Sequence, residues 1–208
     1  MGILISDMEG VLIDGEFLPI LAEHQGKAKE VQEITEKGIK GEISWKEGLK
    51  KRIELLKGAS YEDAKKISEN MSYMKGAHEL CKGLKEKGYT LIGVTGGFKL
   101  FAERAKEELG LDYVFSNELQ FEDGELKGLK NIRVTEDKIE GLDELIKENG
   151  FSEEDTTTLA DGANNLKLFS YANRTVAFNA QPIIKENADL VVESRDLDDV
   201  LELLPQNK

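Results

Sequence analysis

The chain has 208 residues, and its 41 acidic residues outnumber the 28 basic ones to give a formal net charge of −13, which argues against nucleic-acid binding because an acidic surface repels a phosphate backbone. A single cysteine, Cys81, excludes an internal disulfide, and with only His24 and His78 there is no cysteine/histidine zinc cluster, so a bound metal would need oxygen ligands. No run is long and apolar enough to span a membrane and no basic leader precedes an apolar run, so we expect a cytoplasmic protein with no membrane partner.

A helical insertion is predicted after the first strand, Ile3 to Ile5. The segment from Phe17 to about Gly88 shows the spacing of successive amphipathic helices, with breaks at Gly26, Gly41 and Gly58. We assign residues 15–76 to this insertion and call it the cap. Residues 1–14 and 77–208 then form a catalytic core.

From Tyr89 onward, short apolar runs alternate with helical patterns. The predicted strands are YTLIGV, TTTLA, RTVAF and LVV, and the predicted helices are Phe98 to Leu109, Asn164 to Tyr171 and Leu197 to Leu204. A further predicted helix, Ala77 to Lys87, leads into the first of these strands. This alternation predicts an α/β fold, a Rossmann-like parallel sheet with helices on both faces and the first strand at its centre. The segment ELQFEDGELKG predicts a small β-hairpin that turns at Asp123-Gly124.

Two carboxylates follow the first strand directly, at the edge where open α/β sheets bind their ligands. Asp7 and Glu9 are two residues apart, so both point to the same side of an extended segment. One could attack a substrate while the other transfers a proton. A lone carboxylate there is more often a helix cap or a solvated turn residue, and it is the pair that favours chemistry.

Three further groups fall at predicted strand ends. Thr95-Gly96-Gly97 offers a hydroxyl and free backbone N–H groups to an anionic oxygen at the start of the helix from Phe98, although a Gly pair can also be only a tight turn. Lys138 is placed at the start of a helix running toward Lys147, where most lysines face solvent. The segment from Asp161 to Asn165 opens another helix and offers oxygen ligands to Mg²⁺, or a helix N-cap.

These motifs in this order, DMEGV, VTGG, Lys138 and ADGANN, resemble the four motifs of the haloacid-dehalogenase superfamily of aspartyl-phosphate phosphatases over nearly the whole chain. Within it the sequence is most similar to phosphoserine phosphatases, especially small archaeal ones with a four-helix cap. That narrower likeness lies in LKKRIELLKG, VTGGF and the tail that begins at ADGANN. The resemblance implies Mg²⁺-dependent hydrolysis of O-phospho-L-serine, a step of serine biosynthesis. We expect a monomer or a homodimer.

The resemblance also implies a role for each motif residue. Asp7 matches the nucleophile, Glu9 the general acid/base, and Lys138 the lysine that neutralises the nucleophile and the phosphate. Asp161 matches a Mg²⁺ ligand, joined by the Asp7 carboxylate and the Met8 carbonyl. The implied substrate-binding residues lie in the glycine motif, in the cap and in the last motif: Thr95, Gly96, Gly97, Glu16, Arg52 and Asn164. Trp45 matches an apolar cap residue that closes over the site.

Two positions depart from the commonest pattern of these phosphatases. Glu9 stands where Asp is usual and extends the proton-transfer side chain by one methylene group. Asn165 stands where an acid is usual, which predicts a weak or indirect metal ligand and a higher Mg²⁺ requirement.

These departures leave two alternatives to hydrolysis. DMEGV also resembles the phosphoserine:homoserine phosphotransferases, which transfer the phosphoryl group to another hydroxyl. The chain could instead be a phosphoserine-binding protein whose turnover is impaired by Glu9 and Asn165.

Overall fold

The computed structural model describes residues 2–204 and contains one sheet of seven strands. The strands are β1 (Ile3–Asp7), β2 (Thr90–Phe98), β3 (Tyr113–Glu122), β4 (Glu125–Asn131), β5 (Thr156–Ala160), β6 (Arg174–Phe178) and β7 (Leu190–Val192). The helices are α1 (Phe17–His24), α2 (Ala28–Ile39), α3 (Trp45–Leu56), α4 (Tyr61–Asn70), α5 (Ala77–Glu86), α6 (Lys99–Leu109), α7 (Leu142–Asn149), α8 (Pro182–Asn187) and α9 (Asp198–Leu203).

The sheet confirms the predicted α/β fold. Its strand order is β4-β3-β2-β1-β5-β6-β7, with β1 at the centre and every pairing parallel except that of β3 with β4. The antiparallel pair is the predicted hairpin, and Asp123-Gly124 makes its turn. Because β1, β2 and β5 run in the same direction, the residues that follow them meet at one edge of the sheet.

Alternate side chains of the central strand enter two apolar layers, as expected for a strand covered on both faces. Leu4 belongs to a large cluster that continues into the cap. Ile3 and Ile5 belong to a second cluster, which contains Leu142 of α7. All five residues of β1 are buried, so the apolar run of the sequence fixes the strand that carries Asp7 at its end.

The helices α1 to α4 lie between β1 and α5, in the region predicted as the cap, and their contacts with the core include two sets of backbone hydrogen bonds. The two chain segments that connect them to the core pair with each other, with Asp14 N–H donating to the Ser72 carbonyl at 2.9 Å. The loop between α3 and α4 pairs with the start of β4, where Gly58 and Tyr61 N–H donate to carbonyls of the hairpin at 2.9 and 2.8 Å. The bounds 15–76 stay a prediction.

Three local predictions were wrong. The strand β2 continues through Thr95-Gly96-Gly97 to Phe98 with a register shift after Val94, so these residues lie in extended backbone and α6 starts only at Lys99. The stretch Ala163–Tyr171 is a 3₁₀ helix.

No helix of residues 2–204 has the length and apolar character needed to cross a membrane.

Lys138 is the third of these errors, since it is not at a helix start. It lies in a turn over residues 133–140 that ends before Gly141, and α7 begins at Leu142. Gly141 has a φ of +91°, a left-handed conformation that favours glycine and interrupts the helical spacing we had extended back to Lys138.

Candidate active site

Two carboxylates meet at the sheet edge where β1 and β5 end. Asp7 is 5% exposed and accepts a hydrogen bond from the Met8 N–H at 2.7 Å, and its carboxyl is also within hydrogen-bonding reach of the Asp161 carboxyl. Burial and the negative charge of Asp161 raise the pKa of Asp7 well above its ordinary range. Burial likewise raises the pKa of Asp161. The site therefore concentrates negative charge that a cation would offset.

The residues around this pair fit a Mg²⁺ ion. Within residues 2–204 no group of three or more Asp, Glu, His or Cys side chains could hold a metal. Mg²⁺, however, commonly binds through one or two carboxylates and keeps several waters. Gly10, with a φ of +81°, makes room for the pair, because a Cβ atom there would collide with the Asp161 carboxylate.

The Met8 carbonyl, which we expected as the third ligand, is engaged elsewhere. It accepts hydrogen bonds from the Ile13 N–H at 2.8 Å and from the Val11 N–H at 3.4 Å, and so holds the turn that follows β1. The next carbonyl, that of Glu9, accepts no hydrogen bond from any residue of the described chain. It belongs to the peptide between Glu9 and Gly10, the residue that lies against Asp161.

Glu9 is partly buried beside the carboxylate pair and accepts two hydrogen bonds. Its Oε1 accepts from the Phe17 N–H at 2.7 Å, and its Oε2 accepts from the Thr95 hydroxyl at 3.1 Å. Burial raises the pKa of Glu9 to about 7, although the Phe17 N–H lowers it in part. A carboxyl with that pKa can both donate and accept a proton near neutral pH. The Phe17 amide could not be predicted as a partner of Glu9, since a backbone donor leaves no pattern in the sequence.

The glycine motif of β2 allows close contact between this strand and the carboxylates. The Thr95 hydroxyl accepts a hydrogen bond from the Gly97 N–H at 2.8 Å while it donates to Glu9. A Cβ atom on Gly97 would collide with the Glu9 carboxylate, and one on Gly96 would lie 2.6 Å from the Trp45 indole. Glycine is therefore needed at both positions for steric reasons.

The cap contributes Arg52, Glu16 and Trp45 to the same region. Arg52 is partly buried, its Nε–H donates to the Gly48 carbonyl at 3.3 Å, and burial lowers its pKa while the charges of Glu16 and Glu9 raise it. Glu16 is exposed and close enough to raise the pKa of Glu9. Trp45 covers Gly96. A cation and an anion of the cap thus face the strand-end carboxylates.

The last motif lies against Asp7. The Asn165 Nδ2 donates to the Asp7 carboxylate, and Asn165 is in turn held by the Asn164 Nδ2, which donates to its Oδ1 at 2.6 Å. Asn165 is 8% exposed. The amide that replaces the usual acid therefore presents a donor to Asp7 and offsets part of its negative charge. Within residues 2–204, no Lys or Arg side chain forms an ion pair with Asp7.

Lys138 is the predicted catalytic residue whose side chain has no hydrogen bond or ion pair with the others in the described part of the chain. Its side chain is exposed, and among the described residues its ammonium group has no hydrogen bond or ion pair. Its backbone closes the turn, since the Lys138 carbonyl accepts a hydrogen bond from the Thr135 N–H at 2.8 Å. Hydrogen bonds and charge interactions thus connect Asp7, Glu9, Thr95 and Asp161, and none of those described involves the Lys138 side chain.

The chain is similar to known proteins over most of its length. The family model of the haloacid dehalogenase-like hydrolases matches residues 1–173. The chain is 35% identical to the phosphoserine phosphatase of Methanocaldococcus jannaschii over 204 residues, which cover 97% of each chain. It is 38% identical to that of Archaeoglobus fulgidus over 197 residues, which cover 94% of this chain but 57% of the relative.

A solved phosphoserine phosphatase, determined as an analogue of its phospho-aspartyl intermediate, superposes with a TM-score of 0.89. It is 34% identical in sequence, and the match covers 98% of this chain and 99% of that one. The likeness therefore includes the sheet, the cap and the strand ends that carry the site residues.

Proposed function

Because the chain belongs to the haloacid dehalogenase-like hydrolase family, we propose that it hydrolyses O-phospho-L-serine to L-serine and phosphate, with Asp7 as the nucleophile. The observation that carries this proposal is the placement of Asp7 against Asp161, with the proton-transfer candidate Glu9 beside them and Arg52 of the cap above. The relatives at 35% and 38% identity are phosphoserine phosphatases, which supports the substrate.

Mg²⁺ bound by Asp7 and Asp161 supplies the positive charge that lets a carboxylate approach a phosphate dianion. We assign the third protein oxygen to the Glu9 carbonyl in place of the Met8 carbonyl, since the latter is already hydrogen-bonded. Asn165 then holds Asp7 in place through its amide and does not add a charge.

Proton transfer is assigned to Glu9. An Asp7 carboxylate oxygen forms a bond to phosphorus while the bond from phosphorus to the serine oxygen breaks, and protonated Glu9 gives its proton to that oxygen. Water then attacks the phosphorus of the acyl phosphate, Glu9 takes up a proton, and phosphate leaves with Asp7 restored. A pKa of about 7 suits both steps, because neither protonation state is rare near neutral pH.

The serine part of the substrate is assigned to the cap. Arg52 offers a planar guanidinium group for a carboxylate, and Glu16 offers a negative charge for an ammonium group. The Gly96 N–H and the Thr95 hydroxyl are assigned to the phosphoryl oxygens, to which the hydroxyl donates in exchange for its bond to Glu9. Trp45, which lies over Gly96, is assigned to shield them from bulk water. Gly97 and Asn164 support this arrangement by allowing close approach and by holding Asn165.

A phosphate-release assay on phosphorylated amino acids and sugars, with Mg²⁺, tests the proposal. We expect phosphoserine to be the best substrate, and Asp7→Asn to reduce the rate on the order of 10⁴-fold or more. Asp14→Asn is the matched control, because that carboxylate is exposed in the segment that follows and pairs with Arg195. Unchanged release by Asp7→Asn would rule out the assigned nucleophile.

The same assay separates the alternatives. Formation of phosphohomoserine when homoserine is added would show phosphoryl transfer, and binding of phosphoserine without release would show the impaired binding protein. The cap bounds 15–76, a cytoplasmic location and a monomeric or homodimeric state remain our predictions from the sequence.

A further inference from the structure

We propose that Asn117 is a positioning residue that fixes the Lys138 turn and the Gly96 peptide relative to each other, and through them the phosphoryl-binding groups of the site. This inference rests on the proposed function. Asn117 lies in β3, outside every motif discussed above, and none of its described side-chain hydrogen bonds goes to Asp7 or Glu9.

The first observation is that a polar side chain occupies an apolar position. In the middle of β3 every second residue is buried, namely Phe115, Asn117 and Leu119. Asn117 is 0% exposed, although burial of an amide is costly unless its groups are hydrogen-bonded. An apolar residue would fill this position with no such requirement, so the amide has to be explained by what it binds.

The second observation is that Asn117 makes four hydrogen bonds to backbone groups of two different segments. Its Nδ2 donates to the Gly96 carbonyl at 2.8 Å and to the Val134 carbonyl at 3.0 Å. Its Oδ1 accepts from the Arg133 N–H at 2.8 Å and from the Val134 N–H at 2.9 Å. Both amide hydrogens and both lone pairs are thus used.

The third observation is what those two segments carry. Gly96 lies in β2 between Thr95 and Gly97, and the hydroxyl of its neighbour Thr95 donates to Glu9. Arg133 and Val134 begin the turn that holds Lys138.

The turn is closed by its own backbone. The Glu140 N–H donates to the Arg133 carbonyl and the Thr135 N–H to the Lys138 carbonyl, each at 2.8 Å. The segment that Asn117 binds, Arg133 and Val134, is therefore part of the same turn as Lys138.

The Asn117 side chain thus links β2, which carries the proposed phosphate-binding groups, to the turn that carries Lys138. Among the predicted catalytic residues, Lys138 is the one that does not lie at the end of a strand or just after it. Val134 and Ile139 pack into the apolar layer under the turn, which fixes its depth. Apolar packing is not directional, whereas the bonds to Asn117 fix the register of the turn along β3. We infer that Asn117 sets how far the Lys138 ammonium group can reach toward a phosphoryl group on Asp7.

A double-mutant cycle with Lys138→Ala tests this, using kcat/KM for phosphoserine. Asn117→Ala alone should lower kcat/KM on the order of 10- to 100-fold, and by less than about 3-fold when Lys138 is already Ala, because coupled residues are not additive. Asn131→Ala is the control, since that residue is exposed at the end of β4, and it should change neither background. Equal losses in both backgrounds would overturn the proposal.

Amide hydrogen exchange gives a readout that does not depend on activity. In the parent, the Arg133 and Val134 amides should exchange slowly, because both donate to the Asn117 Oδ1. Asn117→Asp keeps the acceptor but loses both donors, and it should accelerate exchange over residues 133–140 and leave β5 unchanged. Fast exchange of Val134 in the parent, or an unchanged turn in the variant, would contradict the anchoring.

These measurements distinguish the two proposals. If the parent releases no phosphate from phosphoserine, the proposed function fails, while hydrogen exchange still decides whether Asn117 anchors the turn. If Asn117→Ala does not fold, the exchange rates of the parent alone remain decisive.

Discussion

The edge of the sheet and the turn over residues 133–140 hold the predicted catalytic groups in different ways. At the edge, Asp7, Glu9 and Asp161 lie at the ends of the parallel strands β1 and β5, with Asp7 buried and the other two partly buried. In the turn, Lys138 is attached through backbone bonds and its ammonium group is in solvent. The difference teaches that the fold itself brings the acidic side chains together, whereas the positive charge that offsets them has to come from the Lys138 side chain or from a bound cation.

Replacing Lys138 tests this contrast most strongly. We expect Lys138→Ala to lower kcat for phosphoserine about 10²- to 10³-fold, because a cation that offsets transition-state charge is lost. Lys147→Ala is the matched control, an exposed lysine on α7. The check is steady-state kinetics at saturating Mg²⁺. Equal rates for Lys138→Ala and the parent would mean that the turn contributes nothing and that the edge acts without it.

Replacing Glu9 by an uncharged residue tests whether a carboxylate at the edge of the sheet lowers the stability of the folded protein. Since folding raises the pKa of this carboxyl from about 4.5 to about 7, the folded state holds the proton more tightly, and stability falls as pH rises between these values. Glu9→Gln removes that penalty. Its free energy of unfolding in EDTA should exceed the parent's by about 3 kcal/mol at pH 8 and by less than about 1 kcal/mol at pH 5.

Urea denaturation at the two pH values provides the measurement. The control is Glu23→Gln, an exposed residue of α1, which should show no such pH dependence. A Glu9→Gln protein that is no more stable than the parent at pH 8 would show that burial does not raise the pKa of this carboxyl.

Removing Arg52 asks whether the cap supplies specificity while the edge supplies chemistry. Arg52→Ala should raise KM for phosphoserine about 10- to 100-fold, the size expected for a charged hydrogen bond, and change KM for an aryl phosphate little. Lys50→Ala, an exposed neighbour on α3, is the control. If both substrates lose equally, Arg52 does not recognise the serine part.

Restoring an acid at position 165 should have the smallest effect. Asn165→Asp replaces a donor to Asp7 by a carboxylate, so we expect about 10-fold less Mg²⁺ at half-saturation and a lower melting temperature in EDTA. Asn173→Asp is the control, on an exposed residue before β6. An unchanged Mg²⁺ requirement would show that residue 165 does not influence the metal.

The sequence predicted those parts of the site that regular strands determine. The runs TTTLA, RTVAF and LVV became β5, β6 and β7 with the expected bounds, so the position of Asp161 at a strand end followed from periodicity alone. Likewise the apolar run before Asp7 fixed β1 at the centre of the sheet.

What could not be predicted depends on backbone geometry that side-chain patterns do not encode. Two glycines after Val94 indicated a turn, yet the chain continues in extended form as β2. The bond from Ile13 N–H to the Met8 carbonyl has no sequence signal. For Lys138 a signal existed, since Gly141 interrupts the helical pattern, and for Asn117 it was an amide at a buried position of a strand.

The pairing of the α3–α4 loop with β4 affects the colloidal behaviour of the protein. An outermost strand with free N–H and C=O groups is a template for joining another molecule, and lysines such as Lys127 and Lys130 discourage that. Here the Leu126 N–H and carbonyl are already occupied by Ala59 and Gly58. Without this loop, the N–H and C=O groups of Leu126 would be unpaired at the edge of the sheet, so the pairing of the loop with β4 also disfavours association of two molecules through this strand.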